Sequence, residues 1–145
     1  MDIKKTMGTA LAAALMAAGA VVTASPAHAA AGCSGAGPRV TDYAGTTWNT
    51  TYCYNYQSGD IARGSNSSYL KTGYLYAGTN WFACQKRIPD WENPAVGNAR
   101  NNWWLWTQGD EAVHYGGWGW FPATKVSGGN NYEPVPGLPL CPAQG

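Results

Sequence analysis

The sequence predicts a small all-β protein stapled by disulfides. Three observations predict it. No stretch keeps the 3.6-residue apolar period of a helix. Short runs rich in Trp, Tyr, Val and Thr alternate with clusters of turn-forming residues. Four cysteines are spread over a short chain.

Residues 1–29 read as a secretory signal. Lys4 and Lys5 give a positive start, an Ala/Leu/Met/Val-rich run follows, and Ala27-His28-Ala29 supplies a small-x-small cleavage pattern. The apolar run is short and alanine-rich, which disfavours a spanning helix. The remaining chain of about 115 residues is one domain's worth. Removing Lys4, Lys5 and Asp2 leaves equal numbers of basic and acidic residues. A neutral chain has no broad basic face for nucleic acid or an anionic membrane, so neither is an expected partner. All the aromatic residues fall after the signal, and few aliphatic residues remain to build a core. Rings must therefore form much of it, with some left for the surface.

Cys33, Cys53, Cys84 and Cys141 are an even set in a short exported chain, which reads as two disulfides. Four cysteines allow three pairings. Cys33–Cys53 with Cys84–Cys141 is favoured because each bridge then closes its own segment. Zinc is disfavoured, since there is no C-x-x-C pair and one histidine is left after the signal.

In chain order, residues 30–38 are small and glycine-rich. Residues 39–56 alternate as in TTWNTTYCYNY and predict one or two strands. Residues 57–68, QSGDIARGSNSS, read as a polar linker between an N-terminal arm and the main module. Tyr74 and Tyr76 then alternate about Leu75, Ala77-Gly78-Thr79-Asn80 reads as a turn, and a further strand is expected from Trp81. Pro89 and Pro94 make residues 85–100 a long irregular loop. Residues 102–126 predict a hairpin. Trp103, Leu105 and Thr107 point one way on its first strand, and Trp104 and Trp106 the other. Trp118 and Trp120 share one face of the return strand, with Phe121 opposite. Pro122 ends or bends that strand, and Ala123-Thr124-Lys125 makes a tight turn. The proline-rich tail is expected to be extended and held by Cys141.

These residues resemble an SH3 fold. In that family a Trp-Trp pair opens one strand and the return strand reads G-x-G-W-F-P-A/S-x-x-V. Here Trp103-Trp104 and the run from Gly117 to Val126 carry the pattern, and Tyr74-Leu75-Tyr76-Ala77 is weakly similar to the segment that opens SH3 domains. The wider order is similar to small secreted SH3-like proteins of actinobacteria: a strand ending in cysteine, a Trp-Trp strand, and a terminal Pro-x-Cys. The resemblance implies an SH3-like barrel over residues 69–141, preceded by an arm and linker over 30–68. It also implies a role in binding cell-wall peptide or carbohydrate. Lys125 stands where a groove tyrosine of eukaryotic SH3 domains would fall.

Flat rings stack on sugar faces, prolines and peptide planes at low entropic cost. Trp103, Trp118, Tyr74 and Tyr76, with Pro122, are expected to form one shallow ligand groove. Glu111 with His114, and Asp90 with Glu92, are the groupings nearest to acid–base chemistry. The first lies in a hairpin loop without a second histidine, and the second lacks an apolar surround. No catalytic residue, cofactor or metal set is expected. The expectation is a secreted, non-catalytic binding module for a cell-wall component or an extracellular peptide or protein. The runner-up is a small inhibitor of an extracellular enzyme, inserting the loop over residues 85–100.

Overall fold

The computed structural model describes residues 32–143; the signal-peptide reading of residues 1–29 lies outside them. Within the described residues the chain is all-β, with no α-helix. The strands are β1 (Val40–Thr41), β2 (Thr47–Trp48), β3 (Thr51–Asn55), β4 (Gly59–Ser65), β5 (Ser68–Leu75), β6 (Gly78–Phe82), β7 (Cys84–Arg87), β8 (Trp103–Gln108), β9 (Glu111–Ala112) and β10 (Trp118–Pro122). Single 3-10 turns follow at Tyr115–Gly117 and Ala123–Lys125. The second is the tight turn expected after Pro122.

Six strands form one antiparallel sheet in the order β7-β8-β10-β4-β5-β9. β3 pairs with β6, and β1 with β2, as separate two-stranded sheets. No closed barrel forms among the described residues. The chain passes from β6 to β7 across Ala83, whose amide donates to the Trp106 carbonyl, so the β3-β6 pair leads into the edge of the main sheet. Both disulfides are those expected: Cys33–Cys53, separated by 20 residues, and Cys84–Cys141, separated by 57.

Alternation sets the core. On the inner face Ile61, Leu75, Leu105 and Phe121, one from each of four neighbouring strands, pack with Phe82, Val126, Val135, Leu138 and the Cys33–Cys53 bridge. Trp103 packs against the rim of this cluster. The outer face is not left to solvent. Trp104 and Trp106 of β8 point there, and so do Trp118 and Trp120 of β10, each pair sharing a face as alternation predicts; they pack with Trp81, Trp91 and Trp48 into an indole layer. A sheet covered on both faces explains how so few aliphatic residues suffice.

Three expectations need correction. Residues 57–68 are not a linker: most of them are β4, at the middle of the main sheet between β10 and β5. The polar, glycine-rich composition that suggested a linker has a packing cause. Ala62 is small enough for Trp104 and Trp120 to lie across it. A Cβ on Gly64 would sit 1.8 Å from the Ser68 carbonyl oxygen across the β4–β5 hairpin. The turn before β6 is shorter than expected: Gly78-Thr79-Asn80 already belong to the strand and pair with β3. The tail is held by more than Cys141. Gln85, buried on β7, donates through Nε2 to the carbonyls of Val135 (2.7 Å) and Leu138 (2.8 Å), and its Oε1 accepts the Val135 amide (2.8 Å). A buried amide that satisfies three backbone groups acts as a clamp, because each group left unpaired would cost about 1–3 kcal/mol.

Candidate ligand-binding face

The outer indole layer follows from strand register. Trp120 lies opposite Trp106, Pro122 opposite Trp104, and Ala62 opposite Trp120. Gly119 makes the crossing possible. A Cβ there would meet Thr72 Oγ1 at 2.5 Å and the Ala62 oxygen at 2.9 Å, so the G-W-G-W spacing is a packing requirement of β10 against β4 and β5. Trp91 comes from the loop over residues 88–102 and stacks on Trp104 with ring centres 3.9 Å apart. Trp106 contacts both Trp120 (4.8 Å) and Trp118 (5.9 Å), and Trp118 in turn contacts Trp81 (5.5 Å).

Two clefts open on this face. The first, of about 360 Å³, has Trp106 and Trp120 in its lining, and the β1–β2 hairpin supplies Asp42, Tyr43, Thr46 and Trp48. Arg63, Lys86 and the Cys84–Cys141 bridge complete it. The Arg63 guanidinium lies 5.0 Å from the Tyr43 ring centre and 4.7 Å from that of Tyr115, and donates to the Tyr43 hydroxyl. Tyr115 holds a left-handed backbone (φ 51°), uncommon for a side chain of its size. Lys86 Nζ sits 5.0 Å over the Trp120 ring. The second cleft, of about 330 Å³, is lined by Ala62, Trp104 and Pro122 with Tyr69, Tyr74 and Lys125. There Asp60 is paired with Lys71 (3.0 Å) and accepts the Tyr69 hydroxyl (2.9 Å). Burial, then the hydrogen bond to this carboxylate, push the Tyr69 phenol up.

Asp42 is the one carboxylate lining the first cleft, and it is fully used. Its Oδ1 accepts the amides of Ala44 (2.9 Å) and Thr46 (3.0 Å), and its Oδ2 accepts the Trp48 indole (2.8 Å). Burial pushes its carboxyl up, but the bonds from Trp48, Thr46 and Ala44 outweigh that and hold it below 3.8. Trp106 Nε1 is buried in the same wall without a hydrogen-bond partner among the described residues. A lowered folded-state pKa means that Asp42 adds its stability above pH 3.8 and loses it as pH falls through the folded value. The urea midpoint of the wild type is therefore expected to fall more steeply in acid than that of Asp42→Asn. Parallel pH curves for the two proteins would contradict the anchoring role of this carboxylate.

The five residues expected to form one groove are not brought together. Trp118 is 3% exposed and belongs to the indole layer, Pro122 is buried, and Trp103 is half-buried against the inner core. Tyr74 and Pro122 do share the second cleft, and Tyr76 lies beside Tyr74 with ring centres 5.6 Å apart. The physical division is between ring types. Trp91, Trp104, Trp106 and Trp118 are buried, whereas Tyr43, Tyr52, Tyr54, Tyr56, Tyr69, Tyr76, Tyr115 and Tyr132 are exposed. A phenol hydroxyl favours a wet end, which the sequence signals only as a tendency. Sequence reasoning missed Arg63, Lys86, Trp106, Trp120 and the β1–β2 wall. No local motif marks Arg63, Lys86 or the β1–β2 wall, and the fold gathers the set from five separate segments.

The acid–base groupings stay apart from both clefts. Glu111 accepts the Tyr76 hydroxyl on the short edge strand β9, and His114 is exposed beyond it. Glu92 accepts the Tyr132 hydroxyl (2.7 Å), and Asp90 is exposed on the other side of buried Trp91. Among the described residues no group of His, Cys, Asp and Glu is placed to hold a metal. The loop over 88–102 is tied down: Asn93 donates to the Trp103 carbonyl (3.1 Å) and accepts the Thr124 amide (3.1 Å).

Fold and site define a disulfide-stapled all-β protein with an aromatic, cleft-bearing sheet face. No family model matches the chain, and no curated protein or solved structure matches it significantly. Two disulfides are compatible with an extracellular location.

Proposed function

We propose that the chain is a secreted, non-catalytic binding module of SH3-like fold that recognises cell-wall material through the outer face of its main sheet. The observation that carries this reading is the indole layer opening into two clefts on one face. Indole and phenol walls offer stacking surface, and Arg63, Lys86 and Lys125 offer polar contacts beside it. The β8–β10 hairpin, with Trp103-Trp104 on one strand and a 3-10 turn after Pro122 on the other, supports the SH3-like part. The use of Asp42, Asp60, Glu92 and Glu111 as hydrogen-bond acceptors within the fold supports a non-catalytic role. An inhibitor working through the loop over 85–100 has less support, because Trp91 and Asn93 anchor that loop in the protein's own interior.

Trp120 separates the test of binding from the test of folding. It is half-buried and belongs to the linings of the first cleft and of the indole layer. Trp120→Ala is expected to weaken retention on purified cell-wall sacculi about tenfold or more. Tyr52→Ala, on β3 and outside both clefts, should bind as the wild type does. Equal retention by a folded Trp120→Ala variant would refute the proposal.

A further inference from the structure

Resting on that reading, we propose that the first cleft takes an acidic saccharide, its ring against the indole wall and its carboxylate toward Arg63 and Lys86. The cleft carries two cations against one carboxylate. Arg63 and Lys86 both line it, and neither has a carboxylate partner among the described residues. The single acid there, Asp42, already accepts three hydrogen bonds that close the β1–β2 hairpin, and it makes no ion pair with either cation among the described residues. Both cations are instead placed by rings, Arg63 by Tyr43 and Tyr115, and Lys86 by Trp120. Ring contacts fix a cation's position without neutralising it, so the charge stays available to an anion. The fork of Arg63 has donors to spare, since one nitrogen bonds the Tyr43 hydroxyl and the guanidinium carries five N–H groups.

A sugar fits the surroundings better than an extended peptide. A peptide bound by strand addition needs a free sheet edge. The β7 edge beside the cleft is occupied: Gln85 accepts the Cys141 amide and donates its own amide to the Pro139 carbonyl, and the two segments bridge at Gln85 and Leu140. Strand addition is thus closed to a peptide here, while the lining offers flat rings for a sugar face and cations for its acid group. The volume, about 360 Å³, falls in the range of small-ligand sites.

The test uses the folded, oxidised protein with soluble probes followed by calorimetry and tryptophan fluorescence. Tetragalacturonate and an N-acetylglucosaminyl-N-acetylmuramic acid disaccharide serve as acids. Their methyl esters serve as neutral partners, and a glutamate-rich peptide as the competing class. At least one acid is expected to bind about tenfold or more tightly than its ester, with affinity falling as salt rises. Arg63→Gln and Lys86→Gln should each weaken the acid and leave its ester unchanged. An ester that binds as well as its acid, a peptide that binds more tightly than either acid, or a double variant with full affinity would overturn the assignment. Failure of both acids while the protein still holds to sacculi through Trp120 would overturn it alone. Failure to hold sacculi as well would remove the binding-module reading with it.

Discussion

Trp104→Ala is expected to destabilise the protein by about 3–5 kcal/mol, the range for deleting a large buried aromatic side chain. The position combines three losses. The ring is 3% exposed and stacks on Trp91, its Nε1 donates to the Trp91 carbonyl (2.8 Å), and it packs across Ala62 on the central strand. Removing it opens a void between β4 and the loop over 88–102 and leaves that carbonyl without its donor. The loop should then loosen, and Arg100, exposed near its end, should become a faster trypsin site. Guanidinium unfolding gives the stability change, and limited proteolysis gives the local one. A change below about 1 kcal/mol would mean that the outer layer is a surface rather than a second core.

Replacing Cys84 and Cys141 by serine is expected to cost about 4 kcal/mol, against about 3 kcal/mol for the Cys33 and Cys53 pair, because the closed loop is longer. Both changes act mainly on the unfolded chain. The native tail should remain docked, since Gln85 still clamps Val135 and Leu138. The larger effect carries a second signature: Cys84 and Cys141 line the first cleft, so this variant should also bind more weakly, while the other should not. Denaturant midpoints of the two double variants, with sacculi retention measured beside them, check the order. A larger loss from the Cys33–Cys53 pair would contradict the chain-entropy account.

Much of the fold was legible from local pattern. Alternation along Trp103-Trp104-Leu105-Trp106-Thr107 divides the strand between the inner core and the indole layer, as expected. Pro122 marks the end of β10, and the prolines of 85–100 mark most of the loop. The binding face was much less legible. Alternation says which residues share a face, but not whether something covers that face. Trp118 was expected at a surface groove and is buried because Trp81 and Trp106 close over it. The polar segment over 57–68 was read by composition, and composition cannot show that a strand of small residues is what large neighbours require.

The sequence by itself determined the all-β class and the hairpin that carries the Trp-Trp and G-W-G-W-F-P runs; it favoured one of three cysteine pairings, and the structure decided that one. The class and the hairpin rest on period-two alternation and turn chemistry, which act within a short span of chain. Only the tertiary structure decided that β4 is central, that Trp91, Trp104, Trp106 and Trp118 are buried while most tyrosines stay exposed, and that Arg63, Lys86, Asp42 and Trp120 line one cleft. Those outcomes depend on which volumes fit together across the sheet. That is a property of residues far apart in sequence, and no local pattern encodes it.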